Sequence, residues 1–227
     1  LETYAGGNFK AFDASPDKVK AIRPRRPSYE RKKLSTSVIE FLLNRSSAPI
    51  AELKEPAPSG DEIKTILTAA SRVPDHGRLA PWRFIIYRGD ARIQVGEKLL
   101  ELALQREPDL SEARQQQERS RFSRAPLVIG VVSVPREHPK VPQWEMLLSG
   151  GAAAMKLCLA ANALGYSTNW ITNWYSDDAE GRRILGLAPE ERVVGFIHIG
   201  TYEGEKPQRL RPDIDTIVTE YSGPHED

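Results

Sequence analysis

The run Arg72-Val73-Pro74-Asp75-His76-Gly77-Arg78-Leu79-Ala80-Pro81-Trp82-Arg83-Phe84 decides how this chain is read. Pro74 disfavours helical geometry at the residue before it, so a helix arriving from the N-terminal side must stop here. Beyond Pro81, the β-branched and aromatic run Arg83-Phe84-Ile85-Ile86-Tyr87 reads as a strand closed by Gly89-Asp90. A loop bounded by prolines that leads directly into a strand is a rigid support of the kind on which binding sites are built. One at a time its residues are ordinary, since a lone Trp82 suits a core and a lone His76 suits a surface. The ordered combination is the specific signal.

Upstream, Ser59 and Glu62 have capping-box spacing, and Ile63, Ile66, Leu67 and Ala70 follow the i, i+3, i+4, i+7 rule of an amphipathic helix that Pro74 ends. Further upstream, Ser37 and Glu40 repeat the box before Phe41-Leu42-Leu43, and Asn44-Arg45-Ser46-Ser47-Ala48 follows. Downstream, the pattern predicts helices over Ala91–Gln105 and Ser111–Phe122 and a strand over Pro126–Val134, apolar enough to be buried on both faces. Next come a long helix over Gln143–Leu164 with Gly165 as its cap, a strand over Ser167–Asn173, a short helix over Asp177–Leu185 and a strand over Arg192–Ile199. A Pro-containing arm with a strand-like patch at Thr216–Thr219 completes the chain. Alternating strands and helices without a repeat or internal linker give one α/β or α+β domain over residues 35–227. Residues 1–34, polar and poor in periodicity, read as a separate N-terminal arm. The strand pattern by itself does not choose between a parallel and an antiparallel sheet.

Composition narrows the function. Lys and Arg number 32 against 31 Asp and Glu, so the net charge of +1 gives no electrostatic reason to expect nucleic acid or a membrane surface as partner. The basic stretch Arg23–Lys33 reads as a solvated tail. Hydrophobic residues at 40% and charged residues at 28% argue against a mainly disordered chain. The lone Cys158 excludes an internal disulfide and, sitting between Leu157 and Leu159, reads as inert core; a reducing, cytoplasmic setting fits. His76, His138, His198 and His225 are scattered, and no metal site is visible. The apolar run Gly150–Leu164 is short and interrupted by Lys156, which suits a buried helix rather than a membrane span. No G-x-G-x-x-G, Walker A or G-x-S-x-G motif occurs.

Five segments together resemble the FMN-dependent nitroreductase family, particularly its small homodimeric members, over about Val38 to Tyr221. They are Asn44–Ala48; the Pro74–Trp82 loop, which matches the family's Pro-bounded Pro-Trp stretch; Val141-Pro142-Gln143-Trp144-Glu145 with Ser149–Ala154; Gly165–Asn173, which is similar to a Gly-x-x-x-x-Trp-x-Thr strand end; and Ile199-Gly200-Thr201 with Arg209-Leu210-Arg211-Pro212. The resemblance implies an α+β nitroreductase-like fold, a mainly antiparallel central sheet flanked by helices, in an intertwined homodimer.

The resemblance also implies a set of FMN contacts. Arg45, Ser46 and Ser47 would grip the phosphate and ribityl chain, an Arg fork and hydroxyls being suited to a dianion. Arg72 and His76 would touch the flavin, with Trp82 packed behind it. Backbone amides around Trp170, Ile171 and Thr172 would approach N5, and Arg209 and Arg211 would meet the phosphate. Where many relatives carry a further basic residue near the flavin's pyrimidine edge, this chain has Pro49.

The implied activity is a two-step oxidoreduction: NADH or NADPH gives hydride to FMN, and a small nitroaromatic or quinone-like acceptor then takes the reducing equivalents. No side chain need serve as acid, base or nucleophile, because the cofactor carries the chemistry. Another flavin enzyme on this scaffold (an enoyl-type reductase, a dehydrogenase or a flavin-degrading enzyme) or a non-enzymatic flavin-binding protein would share every one of these contacts.

Overall fold

A computed structural model describes residues 38–224. The N-terminal arm, the Ser37 cap and His225 lie outside the described residues. Ten regular elements follow in order: α1 (Val38–Leu43), α2 (Gly60–Ala70), β1 (Trp82–Arg88), α3 (Asp90–Arg106), α4 (Glu112–Arg119), β2 (Leu127–Ser133), α5 (Gln143–Ala163), β3 (Ser167–Ile171), α6 (Ala179–Ile184) and β4 (Arg192–Gly200). Short 3-10 turns lie at Ile50–Glu52, His76–Arg78, Trp174–Ser176 and Ile214–Thr216.

The four strands form one open sheet in the order β1-β2-β4-β3, antiparallel at every pairing. This settles the choice that strand spacing left open, in favour of the antiparallel arrangement. Ile129 at the centre of β2 faces Ile86 on β1 and Ile197 on β4, so the register aligns branched side chains across three strands. All seven residues of β2 are buried, as its continuous apolar run requires. Leu127, Ile129 and Val131 pack with Ile63, Ile66, Leu157 and Ala161 of α2 and α5. Val128 and Val132 point the other way, toward Leu99 on α3 and the rings of Phe122, Tyr175 and Phe196. The sheet therefore has a helix layer on each face and two cores.

Local signals place the elements. At α2, Ser59 Oγ accepts from the Glu62 amide while the Glu62 carboxylate accepts from the Ser59 amide, completing the box read from the sequence. At the end of α5, Gly165 adopts φ 92, a left-handed conformation that favours glycine. The Gly165 and Tyr166 amides donate back to Asn162 and Ala161 there. The α5 helix is long and apolar enough to cross a membrane by length and composition, yet Met146, Ala153, Ala154, Leu157 and Ala161 bury one side of it in the fold.

Two expectations change. Thr216–Thr219 forms no strand, because Asp213 caps a 3-10 turn at Ile214–Thr216 and the exposed residues after it find no partner strand among the described residues. The helix expected to reach Phe122 stops at Arg119, where Ser120 caps it and the chain turns Phe122 into the second core.

Candidate functional site

The Arg72–Phe84 segment is fixed from below by α5. Ser149 Oγ donates to the Pro74 carbonyl at 2.6 Å, and Lys156 Nζ donates to the Arg72 carbonyl. Within the loop, Asp75 spends both carboxylate oxygens on backbone amides, Oδ1 on Leu79 at 3.0 Å and Oδ2 on Ala80 at 2.9 Å. That staple holds Gly77, Arg78 and Ala80 at φ 73, 54 and 45. For the two residues with a Cβ this left-handed geometry costs about 1 kcal/mol or more each and persists because the surroundings impose it. The exposed His76 side chain turns its Nδ1 to Glu145 Oε2 at 2.7 Å. Between loop and helix lies a cavity of about 320 Å³ whose walls include Pro74, Pro81, Val141, Met146 and Ala152.

A second group gathers along β3. The Ala48 amide donates to the Thr168 carbonyl at 3.2 Å and Asn169 Nδ2 donates to the Ala48 carbonyl at 2.6 Å, tying the Arg45–Ala48 segment to the strand. Ser46 is 2% exposed, and its Oγ is buried without a hydrogen-bond partner. Arg45 and Ser47 are half-buried beside it. Burial and the positive charge of Arg45 lower the Lys206 ammonium below its ordinary value. Arg211 Nη2 reaches the Arg45 carbonyl at 3.5 Å, while Arg209 is exposed. Among the described residues, no carboxylate pairs with Arg45, Lys206, Arg209 or Arg211. A buried hydroxyl lacking a partner amid cations lacking counter-ions is a site shaped for an anion.

Trp170, Ile171 and Thr172 continue from this group at the far end of β3. Trp170 is 37% exposed and its Nε1 donates to the Val194 carbonyl at 3.3 Å. The indole lies so tightly against β4 that a Cβ built on Gly195 would sit 1.8 Å from Nε1, so glycine is required there. Cys158 lies under the same strand. Burial raises its thiol to about 11, only partly offset by Thr168 and the Arg45 charge, which fits inert core.

The structure thus brings Arg45, Ser46, Ser47 and Arg211 together and sets Trp170 and Ile171 on the strand beside them, with Thr172 just past its end. It keeps Arg72 and His76 apart. Ser149 and Cys158 are nine positions apart on α5, and at about 100° per residue they point about 180° from one another. Arg72 and His76 stand on the Ser149 side, through Lys156, Pro74 and Glu145. The Arg45–Ala48 segment is tied to Thr168, which Asn162, one turn beyond Cys158, bonds from the other side. No hydrogen bond or ion pair joins the two groups among the described residues. Two participants escaped the sequence reading. Lys206 was findable as the first base of the Lys206, Arg209, Arg211 series, whereas the partnership of Glu145 with His76 spans 69 positions and leaves no local signal.

Residues 53–201 match the model of the Nitroreductase family. The protein named "Putative NAD(P)H nitroreductase YdjA" from Escherichia coli K12 is 36% identical over 182 residues, covering 80% of this chain and 97% of the relative. A protein from Haemophilus influenzae, named "Putative NAD(P)H nitroreductase", is 37% identical over 166 residues, covering 73% of this chain and 89% of its own. Among solved structures, a nitroreductase-like family protein from Bacillus cereus superposes with a TM-score of 0.69 at 22% identity, covering 83% of this chain and 97% of its own. A nitroreductase with bound FMN from Bacteroides fragilis superposes with a TM-score of 0.61 at 19% identity, covering 82% of this chain and 100% of its own.

Proposed function

This chain belongs to the nitroreductase family, and we propose that it is an FMN-dependent oxidoreductase that uses NADH or NADPH to reduce small nitroaromatic or quinone-like acceptors. The observation that carries the reading is the buried, unpartnered Ser46 Oγ beside Arg45, Lys206 and Arg211, with which no carboxylate forms an ion pair among the described residues. The phosphate of FMN fits that group, offering acceptor oxygens to three cations and a hydroxyl. When bound, FMN supplies the two-electron carrier between a nicotinamide and an acceptor. Arg45, Ser46 and Ser47 hold its phosphate end, with Lys206, Arg209 and Arg211 from the C-terminal segment. Trp170, Ile171 and Thr172 flank the ring end, with the indole fixed against Gly195.

We infer that the working unit is a homodimer. Arg72 and His76 stand on the opposite side of α5 from Arg45, so a flavin that touches both groups takes them from two copies. The surface supports this arrangement. Trp144, Leu147 and Leu148 expose an i, i+3, i+4 row on α5, and Leu210, Ile214, Ile217, Val218 and Tyr221 are exposed along the C-terminal segment. The free, buried Cys158 suits a reducing compartment, and we place the enzyme in the cytoplasm.

The deciding experiment is an absorption spectrum of the purified protein. A flavin spectrum that disappears in the Arg45→Ala, Arg211→Ala double variant is the expected result, and a colourless protein that takes up no added FMN defeats the cofactor assignment. Steady-state NADH or NADPH oxidation with a nitroaromatic or a quinone tests the reaction, and sedimentation tests the dimer.

A further inference from the structure

We propose that Arg124, Tyr175 and the Glu118–Arg121 pair form a buried site for one small monovalent anion, a halide ion. The site stands apart from the flavin reading and does not depend on it. Two segments supply its parts. The turn between α4 and β2 carries Arg121 and Arg124, and the 3-10 turn after β3 carries Tyr175. The rings of Phe122 and Tyr175 pack with centroids 5.7 Å apart, which holds the two segments together. Both cations lie close enough to Tyr175 for their charge to act on its phenol.

Charge sets the sign of the occupant. The buried Glu118 carboxylate is fully committed: Oε1 accepts from Arg121 Nη2 at 2.6 Å, and Oε2 accepts from Arg121 Nε at 3.1 Å and from Trp174 Nε1 at 3.0 Å. It neutralises one guanidinium. Arg124 enters no ion pair among the described residues. Burial and the Arg121 charge lower its guanidinium from the ordinary value, yet an arginine keeps its charge at neutral pH. One positive charge is therefore left over in a partly dehydrated setting. A water molecule would complete hydrogen bonds there and leave that charge uncompensated, whereas one negative charge meets both needs. A dianion would reverse the imbalance beside Glu118.

Hydrogen bonding sets the place. Tyr175 is fully buried, and its Oη has no partner among the described residues. Burial pushes its phenol up to about 12, partly offset by Arg121 and Arg124, so Oη keeps its hydrogen at neutral pH and donates. Arg124 Nε is likewise buried without a partner and always carries a hydrogen. Two buried donors that lack an acceptor, beside an unbalanced cation, call for an anionic acceptor. The Arg124 residue as a whole is half-buried, so an ion reaches the group from solvent along it. His198 stands nearby, but its Nε2 faces the Arg121 carbonyl and carries the hydrogen. Its Nδ1 is then an acceptor and stays outside the donor set.

Thermal unfolding of the full chain in excess FMN tests this, with sodium bromide replacing sodium gluconate at a constant ionic strength of about 0.2 M. The wild-type midpoint should rise by about 2–4 °C as bromide replaces gluconate and then level off. Tyr175→Phe deletes one hydroxyl and keeps the ring packing, and it should abolish the rise in a folded protein. Arg124→Gln should do the same. In a bromide-soaked crystal the anomalous peak should stand between Tyr175 Oη and Arg124. The proposal falls if the wild type shows no rise, which means an ordered water only. It also falls if the rise survives Tyr175→Phe, if Arg45→Ala removes it, or if bromide is found only elsewhere. A chain that takes up no FMN but shows the Tyr175-dependent rise would overturn the cofactor reading and leave the anion site standing.

Discussion

Arg83 on β1 and Glu191, the residue before β4, form a two-pronged ion pair across 108 positions, with Nε 2.6 Å from Oε1 and Nη2 2.6 Å from Oε2. Arg83 Nη2 also donates to the Gly186 carbonyl, and Glu191 accepts the Ala188 amide, so one pair ties an edge strand to the turn after α6. Burial pushes the Glu191 carboxyl up, but Arg83 and the Ala188 amide outweigh it and hold the group below its ordinary value of 4.5. Glu191→Ala is expected to cost about 2 kcal/mol in urea unfolding, below the 3–5 of a fully buried pair because the Arg83 side chain is 36% exposed. A carboxylate depressed in the folded state stabilises above its unfolded value and loses that contribution as pH falls through the folded one. The gap between wild type and Glu191→Gln should therefore be full above about pH 4.5 and shrink below it. A gap that is flat down to pH 3 contradicts the pairing.

His198 on β4 is fully buried, and burial pushes its imidazole down to about 4. It stands neutral at pH 7, with Nε2 3.2 Å from the Arg121 carbonyl. The unfolded chain takes up this proton near 6.5 while the folded one does not, so stability should fall as pH drops from 6.5 toward 4 and level off below. His198→Phe should remove that slope. A wild-type slope that persists in the variant would assign it to other groups.

Ser46→Ala should have opposite effects with and without cofactor. In the flavin-free protein it deletes a buried hydroxyl that has no partner, so thermal stability should hold or rise. FMN affinity should fall by about three- to tenfold, the worth of one hydrogen bond. Lys206→Ala should weaken FMN by about tenfold or more but leave riboflavin, which lacks the phosphate, nearly unchanged. Equal losses for both ligands would move Lys206 out of the phosphate group.

Gly195→Ala should displace the Trp170 indole, because the new methyl would overlap Nε1. A red-shifted Trp emission, a loss of about 1–3 kcal/mol from overpacking and weaker flavin binding are expected together. Normal FMN affinity in this variant would separate Trp170 from the flavin site.

Much of the fold was legible because its signals are local. The Ser59 and Glu62 box, the unbroken apolar run of β2 and Gly165 after α5 each act within one element. The Arg45–Ser47 segment, which we propose holds the phosphate, was picked out by resemblance, with Arg211 as its distant companion. What escaped depends on contacts between elements. The Asp75 staple sets three left-handed residues that no pattern announces, and His76 meets Glu145 only because α5 passes beneath the loop. Thr216–Thr219 looked like a strand because β-propensity reports side-chain fit to a sheet, and no strand pairs with it among the described residues. The separation of Arg72 from Arg45 was invisible for the same reason, since it is set by which way α5 turns.

The half-turn offset between Ser149 and Cys158 makes α5 a phase-keeper. One residue inserted between them would rotate one group by about 100° relative to the other, whereas seven would restore the phase to within about 20° but lengthen the helix by about 10 Å. Over this stretch the number of residues is constrained by the rotation it sets, in addition to the packing that holds Ala153, Ala154 and Leu157. Drift in this lineage should appear there as substitutions, and changes in length should fall in the loops on either side.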